Sequence, residues 1–107
     1  MNRGDLVTIA LPGDYGKPRP ALIIQSDLFG DTDSVTLLLL SSTLVHLPLL
    51  RIPVRPSARN GLRAPSEVMI DKPMTVRRDR VGPAFGRLEE RQLLEINRAL
   101  ALFLGLA

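Results

Sequence analysis

The sequence DSVTLLLLSST, residues 33–43, contains four consecutive leucines after a β-branched start. Its apolar residues do not alternate with polar ones, as they would in a strand with one face in water. Short unbroken apolar runs are typical of strands that are buried on both faces. The segment therefore predicts an internal strand with packing on both sides, and it ends in the hydroxyl residues Ser41, Ser42 and Thr43.

Two shorter strands are predicted before this one. Residues 5–11, DLVTIAL, are rich in β-branched and apolar side chains and run into a Pro-Gly pair, which is typical of a turn. Residues 20–25, PALIIQ, form the second predicted strand, in which proline is tolerated as the first residue. The second strand directly follows the segment Lys17-Pro18-Arg19.

Two further strands are predicted after the internal one. Residues 49–56, LLRIPVRP, alternate apolar residues with arginine and proline, so one face is expected to be basic and exposed. Pro53 places this strand at an edge or a bulge. Residues 66–76, SEVMIDKPMTV, alternate again, and the lysine-proline pair inside them predicts a kink before another short strand.

The C-terminus is predicted to be helical. In residues 88–105 the side chains of Leu93, Ile96, Leu100 and Phe103 recur at spacings of three and four, which places them on one stripe. The order of elements is thus five or six short strands followed by one amphipathic helix. A strongly curved antiparallel sheet or a small barrel, covered by that helix, would bury the stripe.

Composition indicates one domain, residues 1–107, with no disulfide because the chain has no cysteine. The chain carries a net charge of +3, and among its 14 basic residues only Lys17 and Lys72 are lysines. Arginine makes two-point contacts with phosphate, so nucleic acid is a reasonable partner. Codon bias toward arginine is the alternative explanation of the same composition. No apolar segment suits a signal peptide or a membrane helix, which predicts a cytoplasmic protein with no membrane association.

Several common catalytic sites are excluded by the sequence. His46 is the only histidine, so neither a two-histidine ribonuclease site nor a histidine metal cluster is available. Among apolar neighbours in a predicted loop, His46 itself is expected to be structural. No glycine-rich nucleotide-binding motif occurs. We therefore expect no metal and no cofactor.

Arg19 and the hydroxyl run are the remaining candidates for chemistry. Arg19 begins one predicted strand and the hydroxyls end another, so antiparallel pairing would bring them to the same rim of the sheet. A guanidinium and a hydroxyl facing one small volume suit a phosphate undergoing displacement. The prolines on both sides of Arg19 restrict the local backbone. A strand-edge charge that discourages aggregation is the other interpretation of Arg19.

Three segments together resemble the MazF/PemK toxin family, the endoribonucleases of bacterial toxin–antitoxin pairs. They are RGDLVTI at 3–9, GKPRPALIIQSD at 16–27 and NGLRAPSEVMIDKPMTV at 60–76. The resemblance implies a mainly β fold, a CcdB/MazF-like SH3-like barrel of five to seven short, mostly antiparallel strands with a C-terminal helix. It also implies a homodimer that binds single-stranded RNA and a cognate antitoxin. The implied reaction is sequence-selective and needs no metal: the ribose 2′-hydroxyl attacks the adjacent phosphorus, leaving a 2′,3′-cyclic phosphate and a 5′-hydroxyl.

The resemblance also implies roles for individual residues. Arg19 matches the catalytic arginine of the family. The catalytic hydroxyl falls at Ser42, where the family has threonine, and the neighbouring Thr43 is the alternative equivalent. One branch of the family pairs an arginine with an aspartate two residues later; here Asp71 fits the aspartate, but Met69 stands at the arginine position. The candidates for substrate binding are Asp14, Tyr15, Lys17, Thr43 and Asp71, with Tyr15 as a stacking surface or simply a loop residue.

Two other functions stay open at this point. A CcdB-like gyrase poison would share the fold and cleave nothing, and a non-catalytic SH3-like module would bind nucleic acid or a peptide. The Lys-Pro-Arg-Pro segment and the hydroxyl at Ser42 favour the ribonuclease, since a poison needs neither. For a toxin, the arginines Arg51, Arg55 and Arg59 suit an acidic antitoxin tail that orders on binding.

Overall fold

The computed structural model describes residues 1–13 and 17–107. The described residues form six strands, two 3₁₀ turns and one α-helix. The strands are β1 (Asp5–Ile9), β2 (Arg19–Ile23), β3 (Ser34–Ser41), β4 (Arg51–Val54), β5 (Ser66–Arg77) and β6 (Val81–Arg87), and the helix is α1 (Glu90–Phe103). The 3₁₀ turns are Asp27–Phe29 and Arg78–Arg80.

The six strands form one sheet in the order β4-β5-β3-β2-β1-β6, and every neighbouring pair is antiparallel. This confirms the predicted curved antiparallel sheet with a C-terminal helix. Among residues 1–13 and 17–107, strand pairing does not close the sheet, since β4 and β6 remain at its edges, so the barrel is approximate. Pro53 lies in the edge strand β4, as predicted.

The loop between β4 and β5 brings the two ends of the sheet together. The Arg87 amide donates to the Arg59 carbonyl at 3.0 Å, and a Cβ on Gly86 would overlap the Asn60 carbonyl oxygen. The buried Asn60 side chain holds the loop in shape: its oxygen accepts from the amides of Ser57 and Leu62 at 3.0 and 2.9 Å. Only a glycine at position 86 allows this close approach to β6.

β3 is buried on both faces, as its unbroken leucine run predicts. Leu38 and Leu40 belong to the core cluster that α1 covers, whereas Leu37 and Leu39 belong to the cluster on the opposite face. All four side chains are at most 7% exposed. The strand therefore lies at the centre of the fold, and its C-terminal end has a fixed position.

The helix stripe is mostly as predicted. Leu93 and Ile96 are buried, and Leu100 packs against the same core from a partly buried position. Phe103 was predicted on this stripe, and that is wrong: it is 44% exposed, while Ala99 is buried. Phe103 is the last residue of α1, where the helix extends past the core it covers. No helix in the described part of the chain is long and apolar enough to cross a membrane.

The strands near the C-terminus differ from the prediction in two ways. The predicted break at Lys72-Pro73 does not divide the segment, because β5 is one continuous strand. Its pairing with β3 shifts register between Val68, which pairs with Leu40, and Pro73, which pairs with Leu38. β6 was not located from the sequence. Its sequence VGPAFGR contains two glycines and a proline, which weaken the strand pattern. These residues are tolerated because β6 is an edge strand.

Candidate active site

The β2–β3 pair brings the beginning of one strand beside the end of the other. Ala21 pairs with Leu39 in antiparallel register, so Arg19, the first residue of β2, lies near Ser41, the last residue of β3. An open cavity of about 390 Å³ lies at this rim, which we call the Arg19 cavity. Its lining residues are Lys17, Pro18, Arg19, Pro20, Leu40, Ser41, Ser42, Thr43 and Ser66.

The basic side of the Arg19 cavity has a constrained backbone. Arg19 and Pro20 pair with Ile9 and Thr8 of β1, so the arginine backbone is part of the sheet. Prolines on both sides further limit its conformations. Lys17 is exposed at the mouth and Arg19 is half-buried. The cavity thus combines two cationic residues with a fixed main chain.

The hydroxyl side of the cavity is formed where β3 ends. Ser41 Oγ accepts from the Thr43 amide at 3.1 Å and donates to the Thr43 carbonyl at 3.4 Å, which bends the chain. The hydroxyls of Ser42 and Thr43 are exposed and have no hydrogen-bond partner among the described residues. Both can therefore donate to a ligand, and the geometry does not choose between them.

A buried carboxylate fixes the segment that follows these hydroxyls. Glu67, directly opposite Ser41 in the β3–β5 register, accepts from the amides of Val45 and His46 at 2.9 and 3.1 Å. Its side chain is 3% exposed. Sequence reasoning missed Glu67, because nothing in the alternating strand pattern marks its carboxylate as buried. His46 has φ of 55°, and its ring, 79% exposed, is not among the side chains that line the Arg19 cavity.

Asp71 lies outside the Arg19 cavity. It forms an ion pair with the Arg51 guanidinium, and its other oxygen is 3.7 Å from Lys72 Nζ. Desolvation by burial raises the pKa of Asp71, but the hydrogen bond and charge of Arg51 outweigh it, so the pKa is below its usual range. The predicted role of Asp71 in substrate binding stays a prediction. Arg51 was expected on an exposed basic face and is instead half-buried against Asp71.

The predicted substrate-binding residues Asp14 and Tyr15 lie outside the described residues. Their roles stay predictions. Within the described part of the chain, no group of three or more histidine, cysteine or carboxylate side chains is placed to hold a metal ion.

A second cavity of about 500 Å³ adjoins the first, and we call it the Phe85 cavity. The two cavities share four lining residues and therefore lie side by side at this rim. The outer wall of the Phe85 cavity comes from β6 and from the loop between β4 and β5. Sequence reasoning missed it because β6 was not predicted. The shared residues are Pro18, Pro20, Ser42 and Ser66; Thr8, Gly61, Leu62, Arg63, Ala64 and Phe85 complete the lining.

A family model described as PemK-like, MazF-like toxin of type II toxin–antitoxin system matches residues 2–104. The chain belongs to this family. The match spans nearly the whole chain, and it confirms the resemblance found in the strand and turn motifs.

Individual members of the MazF family agree with this assignment. The chain is 46% identical over 108 residues to a protein of Mycolicibacterium smegmatis named probable endoribonuclease MazF, covering 100% of this chain and 99% of that one. The predicted enzyme class thus agrees with the name that this relative carries.

Solved structures of the MazF family share the fold. The Mycobacterium tuberculosis toxin MazF-mt6 superimposes with a TM-score of 0.81 at 25% identity, covering 94% of this chain and 96% of that one. A mycobacterial endoribonuclease in complex with its cognate antitoxin also gives 0.81 at 25% identity, covering 100% and 97%. A Deinococcus radiodurans MazE–MazF structure, 21% identical over 98% and 95% of the chains, gives 0.78 and shows the fold alone.

Proposed function

We propose that this MazF-family toxin is a sequence-selective endoribonuclease that cleaves single-stranded RNA, messenger RNA in the cell, without a metal ion. One observation supports this above all: Lys17 and Arg19 line the same cavity as the hydroxyls of Ser42 and Thr43. A cavity with cations on one side and hydroxyl donors on the other is suited to a phosphodiester. The 46% identity to a probable endoribonuclease MazF supports the same activity.

The proposed reaction is an internal transfer at phosphorus. The ribose 2′ oxygen attacks the adjacent phosphorus, the bond from phosphorus to the 5′ oxygen breaks, and a 2′,3′-cyclic phosphate forms. Negative charge grows on the non-bridging oxygens in the transition state. Arg19 stabilises that charge through two-point hydrogen bonds, and Ser42, or Thr43 in its place, adds a further donor.

The proton balance of this reaction does not require Arg19 to change its charge. A guanidinium is a poor general base near neutral pH because it stays protonated in proteins. The Arg19 cavity is open to solvent, so water can accept the 2′-hydroxyl proton and return one to the 5′ oxygen. We therefore assign Arg19 to charge stabilisation.

The charge of the cavity supports a reaction without a metal ion. Its described lining contains Lys17 and Arg19 and no carboxylate. Cationic side chains repel a divalent cation and themselves supply the charge that a metal would bring to the phosphate.

The proposed partners are a second copy of the chain and a cognate antitoxin. A similar mycobacterial endoribonuclease has been solved in complex with its cognate antitoxin. In this chain Arg55 and Arg59 are exposed, whereas Arg51 is engaged by Asp71. An acidic antitoxin segment is therefore expected to contact Arg55 and Arg59. The proposed site of action is the cytoplasm, where messenger RNA is translated, and the outcome is growth arrest.

The test is cleavage of single-stranded RNA by the purified protein in the presence of EDTA. We expect 5′-hydroxyl ends and 2′,3′-cyclic phosphate ends at a restricted set of sequences. Mapping of 5′-hydroxyl ends in total RNA identifies those sequences. Intact RNA, or a requirement for added Mg²⁺, would contradict the proposal. Growth inhibition with intact RNA would favour the CcdB-like gyrase poison.

A further inference from the structure

The Phe85 cavity has the size and lining of a ligand site. Its volume of about 500 Å³ lies within the range of roughly 300–1,000 Å³ that small-molecule pockets occupy. Leu62 and Phe85 provide apolar surface, while Arg63 and the hydroxyl of Thr8 provide polar groups. Ser66 also lines the cavity, but it is only 6% exposed and its hydroxyl donates to the Ala64 carbonyl at 2.9 Å. Its described lining contains no acidic residue. An apolar wall with polar groups around it suits a flat heterocycle with a hydrogen-bonding edge.

The aromatic ring of Phe85 is held by the backbone beside it. Gly61 has φ of +68°, and a Cβ there would lie 2.7 Å from the Phe85 carbonyl oxygen and 3.1 Å from ring atom Cδ1. The loop backbone thus packs directly against the ring. Phe85 is still 38% exposed, so part of its surface faces solvent. A ring held in one place loses little entropy when a ligand stacks on it.

The position of the Phe85 cavity relates it to the Arg19 cavity. The two share Ser42 and Ser66, together with the prolines on either side of Arg19. The Phe85 cavity therefore adjoins the place where a phosphate would bind at Arg19. Proteins that read single-stranded RNA commonly stack splayed bases on aromatic side chains and hydrogen-bond their edges.

We propose that the Phe85 cavity binds one unstacked base of the RNA substrate beside the scissile phosphate, with the Phe85 ring as its stacking surface. The base edge faces Thr8 and Arg63, which makes this cavity a determinant of the cleaved sequence. The inference rests on the proposed ribonuclease function.

The first test is binding of an RNA oligonucleotide that contains the mapped cleavage sequence, with 2′-deoxyribose at the cleavage position to remove the attacking hydroxyl. Phe85→Leu keeps apolar volume and removes the aromatic face. We expect it to weaken binding by roughly 5- to 150-fold, the effect of losing one base stack. Phe85→Tyr keeps the aromatic face and should bind as tightly as the wild type. Phe29→Leu is the matched control, because Phe29 is 59% exposed and lines neither cavity.

The second test identifies the base. Each nucleotide of the same oligonucleotide is replaced in turn by an abasic one. At one position beside the cleavage site, the loss of the base should weaken binding by the wild-type protein but add little to the effect of Phe85→Leu. This non-additivity is the signature of direct contact. Fully additive effects at every position would overturn the proposal.

The outcomes separate this inference from the proposed function. If the wild-type protein leaves RNA intact in EDTA, the proposed function fails whatever Phe85 does. If the wild type cleaves and Phe85→Leu keeps the same sites, rate and affinity, only the base-binding inference fails. If Phe85→Leu cleaves RNA as the wild type does but is no longer neutralised by a co-expressed antitoxin, the cavity binds the antitoxin and the inference is overturned.

Discussion

Replacing Glu67 with glutamine tests whether a buried carboxylate organises the chain that follows Ser42 and Thr43, the two candidates for the catalytic hydroxyl. The two Glu67 oxygens accept from the amides of Val45 and His46 at 2.9 and 3.1 Å. Glutamine retains one acceptor and turns an NH₂ donor toward the other amide. One charge-assisted hydrogen bond is lost, and an N–H group is left without an acceptor.

The expected cost follows from those contacts. Hydrogen bonds to charged groups contribute about 1.5–3 kcal/mol, and the neutral amide costs less to bury, so we expect a net loss of about 2 kcal/mol. For a chain of 107 residues this corresponds to a fall in Tm of roughly 8 °C. Urea unfolding followed by circular dichroism measures the free energy, and thermal unfolding measures Tm.

Glu95→Gln is the matched control, because Glu95 is exposed on α1. It should change the free energy of unfolding by less than about 0.5 kcal/mol. The Glu67 variant should also cleave RNA more slowly at temperatures where it is fully folded, since the segment after β3 is less well held. Equal stability of the two variants would refute the reasoning about Glu67.

Three other predictions concern the hydroxyls, the ion pair of Asp71 and the closure of the sheet. Ser42→Ala should lower the single-turnover cleavage rate by about 10²-fold and Thr43→Ala by less than tenfold; the reverse order would identify Thr43 as the catalytic hydroxyl. Asp71→Asn should lower the free energy of unfolding by about 1 kcal/mol at neutral pH. In urea titrations this difference should shrink as the pH falls from the ordinary pKa of aspartate to the lower pKa that Asp71 has in the folded state. A difference that does not depend on pH would contradict the ion-pair argument. Gly86→Ala should destabilise the protein by at least about 2 kcal/mol because its Cβ overlaps the opposing loop, whereas Gly30→Ala, which meets only ordinary contacts, should be nearly neutral in the same assay.

The parts of the fold that follow from local pattern could be predicted from the sequence. β3 shows an unbroken leucine run and has both faces buried, and α1 shows the spacing of Leu93 and Ile96 on its core face. The rim between Arg19 and the hydroxyls could be predicted as well, because antiparallel pairing alone brings the start of one strand to the end of the other. These features depend on neighbours in sequence and on a single strand pairing.

The remaining features depend on distant contacts. β6 carries two glycines whose close neighbours are distant in sequence: Gly86 meets the loop at Asn60, and Gly82 meets Thr8 of β1. Neither the strand nor the Phe85 cavity therefore shows a sequence pattern. Burial of Glu67 depends on a loop that folds over it. Arg51 alternates like an exposed residue, yet cross-strand pairing of β4 and β5 brings it to Asp71. Alternation along a strand indicates the face of a side chain and does not reveal its partner.

The measurement that tests the central claim most directly is the single-turnover rate of RNA cleavage in EDTA by the Arg19→Ala variant. Stabilisation of the transition-state charge by one guanidinium predicts a fall of at least about 10³-fold, with unchanged circular dichroism and Tm. Arg55→Ala, which removes an exposed arginine outside the Arg19 cavity, should cleave at nearly the wild-type rate. An Arg19→Ala rate within tenfold of the wild type would contradict the account.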